Sequence, residues 1–121
     1  MSDSSRLYIY LFEDILDAIA KIESYISGVS YNELCQRPMT IDAVIRNFEV
    51  IGEAANKIPA NIRNKYPHVE WRQTIGFRNV LIHNYFEIDV ESVWETIKKN
   101  LPVLKRHIES AYEEEKKSEE I

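Results

Sequence analysis

A single cysteine, Cys35, in 121 residues excludes an internal disulfide and with it the small secreted scaffolds that rest on cross-links. Turn residues are scarce as well: three Gly and four Pro are too few for the many tight turns of a sandwich or barrel. Positive charge is in deficit, with 15 Lys and Arg against 20 Asp and Glu, a formal net charge of -5 and a pI near 5.2. That balance excludes broad, sequence-blind binding of nucleic acid by a basic face. Long apolar runs are missing too. The opening stretch MSDSSRLYIYLFEDILDAI starts polar, and Glu13, Asp14 and Asp17 interrupt its apolar residues. It fits neither a signal peptide nor a membrane span, so cytoplasm is the expected compartment. The three histidines, His68, His83 and His107, stand 15 and 24 residues apart, and none has a second ligand at helix-face spacing. No metal site and no cofactor are expected.

What remains is an ordinary globular composition, 45% hydrophobic, of the length of one domain. Helical periodicity dominates it. Tyr8, Leu11, Phe12, Ile15, Ile19, Ile22 and Ile26 recur at steps of three and four, which predicts a long amphipathic helix capped by Ser4 or Ser5 and stopped by Gly28. Tyr31 to Gln36 form one or two turns capped by Ser30. A second long helix is expected from about Met39 to Lys57, capped by Thr40 or Asp42, with a stripe of Ile41, Val44, Ile45, Phe48, Ile51 and Ala55. Pro59 ends it. A short helix over Ala60 to Tyr66 closes at Pro67, and a third substantial helix runs from Trp71 to between His83 and Tyr85. The last starts at Asp89 with a seam of Val93, Trp94, Ile97, Leu101, Leu104, Ile108 and Ala111, and Pro102 should bend it or disturb the preceding turn. The expected fold is all-α, an up-and-down bundle of four main helices plus short ones. One domain over residues 1–115 and a charged, frayed tail over 116–121 complete it.

One stretch carries chemistry: Arg78, Asn79, Val80, Leu81, Ile82, His83, Asn84, Tyr85. Asn79 and His83 share a helix face. Arg78 and His83 lie roughly 140° apart at ~100° per residue. They converge only if the helix loosens near His83 or if a second copy brings its own pair across an interface. Arg offers a permanent charge and a fork of donors that matches phosphate oxygens. His, with an ordinary pKa of about 6.5, takes or gives a proton near neutrality. Together they suffice for metal-free RNA cleavage. The His deprotonates the 2′-OH or protonates the leaving 5′-oxygen, the Arg stabilises the pentacoordinate phosphate, and the product is a 2′,3′-cyclic phosphate. An Arg and a His at this spacing also occur by chance, with the His simply stabilised by the helix dipole.

The segment RNVLIHNY resembles the Arg, four residues, His, one residue, Tyr signature of HepT-like toxins of the HEPN superfamily, the toxins of type VII toxin–antitoxin pairs. The resemblance covers nearly the whole chain, through YLFEDILDAIAKIESY, TIDAVIRNFEVIGEAANKIP, WRQTIGFRNVLIHNYFEID and VWETIKKNLPVLK in order. It implies a homodimeric helical bundle whose two motifs face one cleft. It also implies a metal-independent endoribonuclease with Arg78 and His83 catalytic and Asn79 supporting. The implied partner is a nucleotidyltransferase antitoxin that transfers AMP to the motif tyrosine, here Tyr85, placing negative charge and bulk in a phosphate-binding cleft.

Other polar residues have blander readings. Arg46 and Asn47 interrupt the apolar run of the second long helix, and Glu49 and Glu53 lie four apart on one face; either Arg46 or Glu53 borders the cleft and orients Arg78, or these residues are exposed or make ordinary intra-bundle pairs. Trp71 and Trp94 are expected as core or interface anchors, His68 as a loop residue and His107 as exposed. The acidic balance and the long seam of the last helix also fit a second class, a non-catalytic adaptor that binds a nucleotidyltransferase. The acidity itself is local: residues 109–121 hold six Glu against two Lys, which leaves the rest of the chain at about -1.

Overall fold

The computed structural model describes the backbone of residues 2–83 and 89–120 and the side chains of residues 8–77 and 89–118. Within that range the chain is helical, and no strand occurs among the described residues. The elements are α1 (Ser2–Ile26), α2 (Tyr31–Cys35), α3 (Pro38–Lys57), α4 (Ala60–Arg63), α5 (Trp71–His83), α6 (Val90–Glu95), a π-helical turn (Thr96–Asn100) and α7 (Leu101–Glu120). The all-α expectation holds, with α1, α3, α5 and α7 as the main helices.

Packing follows the apolar stripes. α3 lies between α1 and α5, and α7 covers the other side of α1. Phe12, Ile15, Ile19 and Ile22 of α1 meet Val44, Phe48, Ile51 and Ala55 of α3 in one core, all at 0% exposure. Val93, Ile97, Leu101, Leu104 and Ile108 close it from the C-terminal side. Two polar links give the direction of α7. Tyr112 donates to Glu13 Oε2 at 2.6 Å, and Lys105 Nζ lies 3.1 Å from Glu23 Oε1. Rising numbers on α1 meet falling numbers on α7, so the two run antiparallel.

Helix ends depart from the sequence reading in instructive ways. α1 begins at Ser2, ahead of the expected caps Ser4 and Ser5. α3 begins at Pro38, after Arg37, with no side-chain cap, so neither Thr40 nor Asp42 caps it. Proline at the first helical position has no N–H to leave unsatisfied and a φ already suited to the helix. The Ser30 cap is present as a full capping box with Glu33, whose carboxyl is held low by its bonds to Ser30. Gly28 stops α1 at φ +72°, a left-handed angle that favours glycine. The π turn stands directly before Pro102, with the Leu101 N–H bonded to Thr96 O. Proline lacks the N–H that would continue the α-helical ladder, so the preceding turn widens instead of the helix ending.

Candidate active site

α5 carries the Arg–His motif, and its first turns are clamped on several sides. The Trp71 indole N–H points to two carbonyls, Arg63 O at 3.1 Å and Tyr66 O at 3.0 Å, so the α4–α5 connection cannot shift without breaking them. Phe12 of α1 sets its ring edge against both Trp71 and Tyr66, with centroids 6.2 and 6.3 Å away. One turn further on, Thr74 is buried and Phe77 meets Phe48 of α3 edge-on at 5.7 Å. The anchored face of α5 is therefore the one that carries Trp71, Thr74 and Phe77.

The backbone stays helical from Trp71 to His83. By helical angle, Arg72, Gly76, Asn79 and His83 fall along one face, at steps of four, three and four, while Arg78 lies on another. The side chains of Arg78, Asn79 and His83 lie outside the described residues, as does the whole of Tyr85. Asp89 takes up the chain after residues 84–88. Its carboxylate accepts from the Glu91 and Ser92 N–H groups at 3.1 and 3.4 Å and from the Ser92 hydroxyl at 2.7 Å. These bonds hold its carboxyl below the usual range and cap α6, which fixes where the chain returns from the motif.

Several residues to which the sequence assigned no role, or a different one, support α5 from α7. Tyr66 donates to Glu115, and Lys65 Nζ lies 2.7 Å from the same carboxylate. Burial and that acceptor push the Tyr66 hydroxyl well up. His107 is not exposed as expected: it is half-buried, 2.9 Å from Glu70 Oε1, with its ring edge-on to His68 at 5.1 Å between centroids. Position one step off a seam leaves a residue solvated only if nothing lies beside it, and here the α4–α5 connection does. His68 is exposed in that connection, as expected. Arg46 is exposed and pairs with Glu49 at 3.7 Å on its own helix, the ordinary surface arrangement. Asn47 is buried and donates back to Ala43 O at 2.9 Å. Trp94 is half-buried between Tyr31 and Lys98 and ties α6 to α2.

Hollows lie beside α5 among the described residues; besides a shallow one of about 560 Å³ at its start, lined by Val69, Glu70, Trp71, Arg72 and Gln73, two reach neighbouring elements. One, of about 100 Å³, lies between α5 and the π turn and is lined by Gln73, Thr74, Phe77, Lys99, Asn100 and Leu104, among others. The other, of about 450 Å³, lies toward α3 and α4 and is lined by Asn56, Arg63, Asn64, Trp71, Arg72 and Ile75, with Ala60 at its side. No group of His, Cys, Asp and Glu among the described residues could hold a metal ion. No helix among them is long and apolar enough to cross a membrane. Arg63 and Arg72 were not singled out by the motif. The signal available in the sequence was charge by segment. Residues 54–86 carry Lys57, Arg63, Lys65, Arg72 and Arg78 against Glu70 alone, a local +4 in a chain of -5.

The sequence profile described as "Ribonuclease HepT-like" matches residues 15–111. Curated relatives agree. The chain is 43% identical over 96 residues to "Putative RNase MJ0125" of Methanocaldococcus jannaschii, covering 79% of this chain and 83% of that protein. It is 38% identical over 97 residues to "Probable ribonuclease HepT" of Thermococcus cleftensis, covering 80% and 88%. It is 33% identical over 104 residues to "Putative RNase TTE0752" of Caldanaerobacter subterraneus subsp. tengcongensis, covering 86% and 93%. No solved structure matches the chain significantly.

Proposed function

The chain belongs to the ribonuclease HepT-like family, and from that membership we propose that it is the toxin of a toxin–antitoxin pair, a metal-independent endoribonuclease acting through Arg78 and His83. The observation that carries the reading is the match over residues 15–111, which contains the whole Arg-Asn-Val-Leu-Ile-His-Asn-Tyr motif. His83 exchanges the proton of the ribose 2′-OH or of the leaving 5′-oxygen. Arg78 neutralises the charge that grows on the phosphate, and the bond from 2′-oxygen to phosphorus replaces the bond to the 5′-oxygen. Asn79 supports the site by hydrogen bonding. The reaction ends in a 2′,3′-cyclic phosphate and a 5′-hydroxyl, in the cytoplasm.

A backbone that stays helical through His83 favours one of the two ways to bring the pair together. Positions five apart on a regular helix face different directions, so two copies of the chain, each supplying an Arg78 and a His83 to one cleft, form the active unit. A nucleotidyltransferase antitoxin silences it by transferring AMP from ATP to the hydroxyl of Tyr85: the tyrosyl oxygen replaces the bond from the α-phosphorus to the β-phosphate, pyrophosphate leaves and the phenolic proton is lost. The added phosphodiester brings a negative charge and an adenosine to a cleft built for phosphate. Expression of the chain alone should arrest growth, and Arg78→Ala or His83→Ala should relieve the arrest while the protein still folds. Co-expression with the partner should raise the intact mass in AMP units, and Tyr85→Phe should abolish the increase. A stable, unmodified complex that leaves RNA intact would make the chain an adaptor instead.

A further inference from the structure

We propose that the hollow between α3, α4 and α5 is an anion subsite that grips a phosphate of the RNA strand away from the scissile bond, with Arg63 and Arg72 as its cationic residues. The inference rests on the ribonuclease reading for the identity of the strand, and on three features of the molecule for the site.

The first is its lining. The cavity, about 450 Å³, presents two guanidinium side chains and two amides, Asn56 and Asn64, beside the apolar wall of Trp71 and Ile75, and no carboxylate lines it. Among the described residues neither Arg63 nor Arg72 takes part in an ion pair, although the chain as a whole has more acids than bases. The second is Arg63 itself. Its Nε is buried and has no hydrogen-bond partner, and no acid pairs with its guanidinium among the described residues, a costly state for a charged group. The position of Arg63 is fixed from behind, since its carbonyl accepts from the Trp71 indole at 3.1 Å. The third is the direction of the site. Arg72 opens the α5 face that continues through Gly76 and Asn79 to His83, eleven positions or roughly 16 Å along the axis at 1.5 Å per residue. A Cβ built at Gly76 meets nothing within 4 Å, so the fold of one protomer does not call for glycine there. The missing side chain leaves room for a strand to lie against the helix between the hollow and the motif.

A phosphate contact of this kind adds affinity without reading sequence and makes binding salt-dependent. It also eases the tension between an acidic chain and an RNA substrate, because the stretch 54–86, which supplies Arg63, Arg72 and the motif, carries a local charge of +4. The test is fluorescence anisotropy of the purified protein with a 2′-O-methyl oligonucleotide of about 12 nucleotides, a length within single-strand site sizes, that cannot be cleaved. Arg72→Ala and Arg63→Gln should each weaken binding about five- to tenfold and lower the slope of log K against log salt by about 0.7, the value for one lost contact on a single strand. Circular dichroism checks that each variant is folded. Arg72, being exposed, keeps the test open if Arg63→Gln is not folded. Unchanged affinity and slope in Arg72→Ala would overturn the proposal and leave the hollow to an acidic protein partner. Because the probe is uncleavable, the subsite and the catalytic reading fail separately: weakened binding with no RNA cleavage by the parent protein would keep the first and remove the second.

Discussion

The same substitution at two glycines should change stability in opposite directions. Gly28 sits at φ +72°, whereas Gly76 lies inside α5 at ordinary helical angles. Alanine in the left-handed region costs roughly 1–2 kcal/mol, so Gly28→Ala should destabilise by about that much. Within a helix the sign reverses: glycine loses more backbone entropy on folding, and alanine gains roughly 0.5–1 kcal/mol provided its methyl has space. At Gly76 it does, with nothing within 4 Å of the new Cβ. For a domain of this length these energies correspond to a melting temperature about 2–5 °C higher for Gly76→Ala and several degrees lower for Gly28→Ala. Thermal unfolding followed by far-ultraviolet circular dichroism reads both. RNA cleavage by Gly76→Ala should fall even as its stability rises, since the methyl stands on the face shared with Arg72, Asn79 and His83. A lower melting temperature for Gly76→Ala would refute the reasoning, because it would mean that this face is already covered in the folded protein.

Three other outcomes follow from the packing and the ionisable groups. Phe48→Ala, at 0% exposure and in edge contact with Phe77, should cost about 3–5 kcal/mol in urea unfolding and loosen α5, so that activity falls with stability. Ser30→Ala removes the capping box of α2 and should cost about 1 kcal/mol by the same assay. Stability should be lost at both ends of the pH scale. The Glu33 and Asp89 carboxyls are held below their ordinary values of 4.5 and 3.8, so their contribution is present above those values and disappears as pH falls further. The Tyr112 hydroxyl, bonded to Glu13, is pushed up from 10.0 to about 12, so its contribution is full below pH 10 and lost between 10 and 12. Tyr112→Phe should flatten the alkaline limb of a plot of melting temperature against pH.

How far the sequence could be read depended on the range of each interaction. Spacings of three and four placed α1, α3 and α7, because burial of one face is written into neighbouring positions of a single helix. Pro102 announced the disturbed turn before it, because its missing N–H acts only a few residues away. The start of α3 was misplaced because two polar residues suited to capping, Thr40 and Asp42, follow a proline that opens the helix without a side-chain cap. His107 and the tyrosines were out of reach. The partner of His107, Glu70, is 37 residues distant, and that of Tyr112, Glu13, is 99. Periodicity within one helix says nothing of such pairs. The site divides in the same way. The Arg78–His83 motif is contiguous and could be singled out by residue type, whereas the Arg63–Arg72 hollow exists only once α3, α4 and α5 are packed.

The central claim is that this acidic helical chain cleaves RNA without metal through Arg78 and His83. Purified protein incubated with single-stranded RNA in excess EDTA tests it most directly, with product ends resolved by mass spectrometry. The account predicts fragments ending in a 2′,3′-cyclic phosphate, and none from an all-deoxy strand. Arg78→Ala and His83→Ala should each lower the rate by at least about 100-fold, the scale of a lost general acid or base or a lost transition-state donor. Cleavage that requires added metal, or that persists at the parent rate in either variant, would contradict it.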